Sequence, residues 1–364
     1  MFLSEIKLRD FRSYERVSFH PSRGITVLTG QNGAGKTNLL ESIHICCLGR
    51  SHRTAFDREL IRQGAESAVC EMTAEKRDGG HTVRVLLSGD SRRLKDITVN
   101  GKRLARIGEM MGHINCVLFS PEDLLLLREG PSCRRRYMDM ALSQIDARYF
   151  YVLQRYACAL KQRNALLKQI AAGERGEDEL LIWDEQLAQS GETLCRFRRR
   201  FASSISPLAK AKYAEISKRE SEELEISYVS QVKSDSARDE ILTGLLKSRR
   251  EDIRFRTTAF GVHHDDLRFT LCGQEMKNFA SQGQKRTAVL ALKLAQLSLM
   301  EAEIGEKPLL LLDDVLSELD SMRREYLLAS MDKAQTFVTC TDETDLSGAK
   351  VDAIIRVSGS VLEY

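Results

Sequence analysis

Apolar and polar residues alternate over residues 2–9 and again over 15–19, a period of two that predicts two short strands with one buried face. ITVLT (25–29) is instead a continuous β-prone run, the pattern of a strand buried on both faces. From Thr37 to Leu48 the pattern is helical. Alternation returns near 67–75, 81–88 and 95–105. In the last of these Asn100-Gly101 separates DITV from KRL, and Asn-Gly readily supplies the two positive φ angles of a tight hairpin turn.

From about 121 to 255 the strand signals fade. MDMALSQIDARYFYVLQRYACALKQRNALLKQI (138–170) predicts a long helix, Gly173 and Gly176 mark a break, and a second helical stretch runs from about 178 to 219. Two helices of about 30 residues joined by a short polar turn make an antiparallel hairpin roughly 45 Å long. The acidic, Ser-rich stretch 220–240 predicts loop or edge structure. After about 255 the α/β pattern resumes, with a helix over 286–304 and a stripe of Leu290, Leu294 and Leu297. PLLLL (308–312), TFVTC (336–340) and AIIRV (353–357) read as buried strands. The expected organisation is an α/β head made of 1–120 and 256–364, interrupted by a mainly helical arm, 121–255.

Composition narrows the class. A chain of 364 residues can bury a large core and hold two domains, or one with an insertion. No apolar run is long enough to span a membrane, and MFLSEIKLRDFRSY lacks the layout of a signal peptide, so a cytoplasmic protein without a membrane partner is expected. The nine cysteines include no CxxC pair, which favours reduced, buried thiols over a zinc site or a disulfide framework. A net charge of only +3 means that any nucleic-acid contact must come from local asymmetry. Candidates are Arg50, Arg53, Arg58 and Arg62, then Arg134, Arg135 and Arg136, then Arg196, Arg198, Arg199 and Arg200; each group taken singly is equally a solvated face.

The strongest chemistry lies in Gly30-Gln31-Asn32-Gly33-Ala34-Gly35-Lys36-Thr37. It fits G-x-x-x-x-G-K-[ST], follows a predicted strand and opens a predicted helix. Glycines let successive N–H groups turn inward around a β-phosphate, Lys36 reaches the β- and γ-phosphates, and the Thr37 hydroxyl ligates Mg²⁺. The expected cofactors are therefore ATP or GTP with Mg²⁺. LLLLDDVLSELD (309–320) is an apolar strand ending in carboxylates, expected beside the phosphate-loop strand. Asp313 would hold Mg²⁺, and Asp314 would polarise the attacking water. The two elements lie about 275 residues apart, as an inserted arm requires.

NFASQGQKRT (278–287) is a second polar loop before a helix, expected to begin near Lys285. Ser281, Gln282, Gly283 and Gln284 could donate to a γ-phosphate, with Gly283 allowing close backbone approach. Two cradles make sense if they grip one nucleotide from opposite sides, Lys36 from one subunit and Ser281 from another, which predicts an ATP-bridged homodimer. The alternative reading is a plain helix N-cap. Val262-His263-His264-Asp265-Asp266 is discounted as a metal site, because adjacent histidines on a strand point to opposite faces.

The order phosphate loop, SQGQKRT, LLLLDDVLSELD resembles the ABC-type ATPase heads of the SMC-like group. Within that group the chain is similar to the RecF family of bacterial recombination mediators, through PEDLLLLREGPSCRRRYMD (121–139), DDLRFTLCGQEMKNFASQGQKRT (265–287), LLDDVLSELDSMRREYL (311–327) and the N-terminal SEIKLRDFRSY. The family pattern has a small residue where this chain has Glu129, and GPHRDD where it has Gly261-Val-His-His-Asp-Asp266. The resemblance implies a weak ATPase that dimerises with ATP, binds double-stranded DNA at junctions with single-stranded gaps, works with RecR and RecO, and promotes RecA loading. It also implies that Ser281–Gln284 form the signature motif, that Ser317–Asp320 form a loop crossing the dimer, and that Arg12 and Ser13 lie near the nucleotide. Competing classes are the ATPase subunit of a membrane transporter, which needs a membrane partner, and a phosphate-loop phosphotransferase, which needs no SQGQ loop. A structural SMC-type protein would need a far longer insert.

Overall fold

Ile25–Thr29 is buried at every position and lies inside a mostly parallel sheet. Across that sheet the order is Val361–Glu363, Ala353–Ser358, Ile25–Thr29, Thr336–Cys340, Leu309–Asp313, Cys116–Phe119. Only the Val361–Glu363 pairing is antiparallel. The computed structural model describes residues 1–90, 95–219, 221–234, 236–331, 334–341, 346, 350–359 and 361–363.

One expectation fails here. Leu309–Asp313 does not lie beside the phosphate-loop strand, because Thr336–Cys340 stands between them. Both are five-residue, wholly buried runs, so composition alone cannot rank them. The order is set by the crossover through the helix Ser321–Met331, which returns the chain on the near side.

A second, antiparallel sheet runs Tyr14–Phe19, Phe2–Phe11, Ser67–Lys76, Gly79–Ser88, Lys95–Val99, Lys102–Arg103. Its last hairpin turns at Asn100 (φ 50°) and Gly101 (φ 76°). The helix Lys36–Leu48 packs on strands of both sheets, which is why it is buried almost all round, with Leu39, Leu40, Ile43, Ile45, Cys46 and Cys47 fully buried. The two sheets and this helix belong to one compact unit, Met1–Leu124, Ala211–Glu220 and Ser281–Tyr364.

The second unit comprises Leu125–Lys210 and Ser221–Ala280. Expected boundaries at 121 and 255 thus shift, and 256–280 falls in this unit. The reason is a three-stranded antiparallel sheet, Gln274–Glu275, Asp266–Leu271, Leu224–Val229, whose two halves flank the helix Ala237–Phe255. The stretch 220–240, expected as loop or edge structure, supplies the edge strand Leu224–Val229; Glu220 and Asp235 lie outside the described residues. The expected single helix over 138–170 is two, Pro131–Ile145 and Ala147–Ala171. Asp146 leaves the helical conformation and accepts the Arg148 N–H at 2.8 Å, capping the second. The partner helix, Leu180–Ser217, is 38 residues long against 25 for Ala147–Ala171.

The second unit is built around buried ions. Arg163 is fully buried and donates to Asp184 (2.7 Å), Asp252 (2.7 Å) and Thr258 Oγ1 (2.8 Å). Arg198, also buried, donates to Asp265 (2.7 Å), Asp139 (2.9 Å) and the Val262 carbonyl (2.7 Å). Among the described residues, no helix is long and apolar enough to cross a membrane.

Candidate nucleotide site

The strand Ile25–Thr29 delivers the chain into a loop that only glycine can form at two points. Gly30 sits at φ 150°, and a Cβ there would lie 2.3 Å from the Val357 carbonyl oxygen. Gly35, at φ 114°, caps the helix Lys36–Leu48, and its Cβ would press on Ser13 Oγ and Tyr14 Oη at 3.0 and 3.1 Å. The Tyr14 hydroxyl donates to the Gly35 carbonyl at 2.9 Å, so the loop is fixed from below. Lys36 Nζ spans it, donating to the carbonyls of Gly30 (2.6 Å) and Gln31 (3.1 Å). Gln31, Asn32 and Gly33 are exposed at the rim, and Ala34 N–H closes a turn on Gln31 O.

Thr37 Oγ1 donates to Asp313 Oδ1 at 2.8 Å across 276 residues of sequence. Thr339 Oγ1 donates to the same oxygen at 3.0 Å and accepts the Asp314 N–H at 2.8 Å. Burial pushes the Asp313 carboxyl above its usual range, opposed by those two hydroxyls and reinforced by the Asp314 charge. A hydroxyl and a carboxylate side by side are hard oxygen donors, a set that fits Mg²⁺ and would not fit a soft metal. Thr37 and Asp313 would hold the ion, which when bound neutralises phosphate charge. Asp314 has φ 50°, an uncommon conformation for a residue other than glycine.

Ser281 to Gln284 are not a free loop. The helix runs Gln282–Ile304, three residues earlier than expected, because Ser281 and Gln284 form a capping box. Ser281 Oγ accepts the Gln284 N–H (3.2 Å) while the Gln284 side chain accepts the Ser281 N–H (2.9 Å). The N-cap reading is therefore correct as local structure, and the hydroxyl keeps its own proton to donate elsewhere. A Cβ on Gly283 would meet Arg323 Nη2 at 3.3 Å, and Arg323 also donates to Thr287 Oγ1 at 2.7 Å and pairs with Asp320.

Arg12 sits in the turn between the first two strands at φ 53°. Its guanidinium forks onto the buried Glu41 carboxylate, with both contacts at 2.8 Å, and donates to the Glu59 carbonyl at 2.8 Å. Burial alone would raise Glu41; the Arg12 and Ser51 hydrogen bonds with the nearby Arg53 charge outweigh it and hold the carboxyl below its usual range. Arg12 thus braces the flank of the phosphate-loop helix. Ser13 Oγ accepts Asn38 Nδ2 at 3.1 Å.

Two of the basic candidates are structural. Arg134 is buried and forks onto Asp266 at 2.6 and 2.8 Å, and Arg198 is locked as described above. Arg135 donates to the Asp265 carbonyl and Arg199 to the carbonyls of Val232 and Ser234. Arg53 lies 3.7 Å from Glu41, Arg58 donates to the Gly89 carbonyl, and Arg62 pairs with Asp10. Arg50, Arg136, Arg196 and Arg200 present exposed side chains. Glu129 receives Arg134 through its backbone carbonyl at 2.8 Å, so the departure from a small residue there leaves that contact intact.

His263 Nε2 donates to the Thr258 carbonyl (3.0 Å), which requires Nδ1 to accept the Tyr156 hydroxyl (2.7 Å); both nitrogens are used. Burial pulls its pKa down to about 4 against the Thr258 bond, helped by the charges of His264, Arg135 and Arg163. The unfolded chain therefore takes up this proton first as pH falls. Stability is full above about 6.5 and declines toward about 4, so roughly 2 kcal/mol should be lost between about pH 7 and 5. Urea unfolding followed through Trp183 across that range should show the slope, and His263→Gln should flatten it. Parallel profiles for the two proteins would overturn this assignment.

Residues 2–361 match the family model described as the RecF/RecN/SMC N terminal domain. The chain is 43% identical over 349 residues to the DNA replication and repair protein RecF of Alkaliphilus oremlandii, covering 94% of this chain and 93% of that one. It belongs to the RecF family. A RecF of Symbiobacterium thermophilum is 42% identical over 354 residues, covering 95% and 93%. Two solved structures of the recombination mediator protein RecF in the RecFOR pathway, one with ATP and one with ATPrS, superpose at a TM-score of 0.92 with 35% identity, covering 100% of this chain and 97% of theirs. An Smc head domain from Pyrococcus furiosus, bound to the C-terminal domain of ScpA, gives a TM-score of 0.58 at 17% identity, covering 100% and 95%, and shares the fold alone. The fold of this RecF-family chain is the ABC-type ATPase head. Sequence reasoning missed Thr339, Glu41 and Arg323; the one available signal was a hydroxyl inside the otherwise apolar end of TFVTC.

Proposed function

We propose that this chain is an ATP-gated DNA clamp of recombinational repair and replication restart. ATP occupies Gly30–Thr37 of one subunit, with Mg²⁺ held by Thr37 and Asp313. Ser281–Gln284 of a second subunit cap the γ-phosphate, giving a two-fold dimer with two buried nucleotides. Two faces joined in this way bind DNA more tightly than one through effective concentration, with no base-specific contact. Each face alone should bind with Kd on the order of 10⁻⁴–10⁻⁶ M at physiological salt. Asp314 orients the attacking water, and slow, DNA-stimulated hydrolysis removes the bridge and releases the clamp. The clamp acts at double-strand/single-strand gap junctions in the cytoplasm, with RecO and RecR as partners in promoting RecA loading.

What most supports this reading is the 2.8 Å bond from Thr37 to Asp313 at the end of a complete phosphate loop. The relatives named RecF, including one solved with ATP in the RecFOR pathway, support the biological setting. Sedimentation should show monomer in ADP, and dimer in ATP with Mg²⁺ and duplex DNA. DNA affinity should fall steeply with salt and be indifferent to sequence. A chain that stays monomeric with ATP and DNA, or a flat salt dependence, would overturn the proposal.

A further inference from the structure

Thr339 is fully buried on the strand that separates Ile25–Thr29 from Leu309–Asp313. Its hydroxyl has one proton to give. Asp313 Oδ1 at 3.0 Å is the nearer acceptor and Asp314 Oδ1 at 3.4 Å the farther, so the proton goes to Asp313. The Thr339 hydroxyl oxygen itself accepts the Asp314 N–H at 2.8 Å. The parallel ladder ends at the pair Asp313 and Thr339, so Asp314 is the first residue past its strand's pairing. That residue nonetheless holds φ 50°, which costs an L-residue about 1–2 kcal/mol. A strained backbone persists only where its surroundings over-determine it. Here the Asp314 N–H is held by the Thr339 hydroxyl, which takes the place of a ladder carbonyl, while Ser317 Oγ donates to the Asp314 carbonyl at 3.0 Å from the other side.

We propose that Thr339 is a positioning residue for ATP hydrolysis, its one hydroxyl orienting Asp313 as donor and fixing the strained Asp314 backbone as acceptor. The inference rests on the ATPase reading above. It gives the intervening strand a function, since a strand with an apolar residue at this point would separate the two carboxylates from any such clamp. Loss of the hydroxyl should leave the phosphate loop untouched, because Lys36 and Gly30–Gly35 take no bond from it. It should allow Asp314 to relax away from its working direction, and misplacement of a reacting group by about 1 Å can cost about 100-fold in rate.

The test compares Thr339→Val, which keeps the shape, with Thr339→Ser, which keeps the hydroxyl. Thr339→Val should bind ATP and dimerise within about threefold of the parent. Its kcat should fall about 100-fold with KM little changed, and the ATP-bound dimer on DNA, followed by sedimentation, should persist longer by the same factor. Thr339→Ser should restore both. Turnover and dimer lifetime like the parent's in Thr339→Val would overturn the proposal. So would equal impairment in Thr339→Ser, which would assign the effect to the methyl group. If Thr339→Val does not fold, Thr339→Ser and Thr339→Ala decide it by the same two readouts. A parent chain that neither hydrolyses ATP nor dimerises would overturn the ATPase reading instead, which separates the two failures.

Discussion

Replacing Ser281 with arginine should abolish the ATP-dependent dimer while leaving the monomer able to bind nucleotide. Ser281 caps a 23-residue helix, and its hydroxyl accepts only the Gln284 N–H in that role. Losing the cap costs stability on the order of 1 kcal/mol, which a head with this core tolerates. The larger effect is across the proposed dimer, where a long cation would occupy the position from which a hydroxyl reaches the γ-phosphate. Sedimentation in ATP, Mg²⁺ and DNA should show monomer, with dimerisation weakened by at least about 100-fold, or some 2.7 kcal/mol. A fluorescent ATP analogue should bind within about twofold of the parent. Ser281→Ala, which removes the hydroxyl from both the cap and the proposed γ-phosphate contact without adding a bulky cation, should lie between the two. Persisting dimers in Ser281→Arg would remove the trans role of this motif and leave it a helix cap.

Arg163→Met should be among the most destabilising substitutions in the chain. The guanidinium is completely buried and neutralises Asp184 and Asp252, which are also buried. Asp184 retains Arg249 at 2.9 Å, but Asp252 would face only the Ser248 hydroxyl and the Ala259 N–H without a cation. Breaking a buried pair from one side costs about 3–5 kcal/mol, because a charge is left in a low-dielectric site. The single tryptophan, Trp183, packs on the adjoining cluster of Leu166, Leu167 and Leu180 and reports the loss directly in urea unfolding. A change under about 1 kcal/mol would mean that water or relaxation compensates the carboxylates. Adding Asp252→Asn to Arg163→Met should recover part of the loss.

The parts of the site that were legible in the sequence are those in which one residue type has one physical use. Gly30, Gly35, Lys36 and Thr37 sit at fixed spacing because a phosphate cradle needs positive φ, a cation and a hydroxyl at those offsets, and Asn100-Gly101 announced its hairpin in the same way. The parts that were not legible depend on what lies opposite. TFVTC and LLLLD are both five-residue runs buried at every position, so nothing local says which one neighbours ITVLT. Arg134 and Arg198 belong to runs of arginines that read as surface charge, and only Asp266, Asp139 and Asp265, distant in sequence, make them buried pairs. The stretch 256–280 resembled the return of the head because it contains a strand, but that strand pairs with Leu224–Val229. The helical period through 138–170 hid the break at Asp146, where a local cap overrides the pattern.

The central sheet also sets an order of events during synthesis. Its phosphate-loop strand and its outer strand Cys116–Phe119 are made early, but Leu309–Asp313 and Thr336–Cys340, which fill the space between them, follow roughly 190 residues later. At about 5–20 residues per second, that delay is on the order of 10–40 s. Throughout it the nascent chain carries the glycine loop with no carboxylate to face Thr37, and two apolar strands with open edges. The antiparallel sheet is complete once Arg103 is made and has no such wait. A ribosome stalled before Leu309 therefore holds the glycine loop, Lys36 and Thr37, without the carboxylate that Asp313 sets against them.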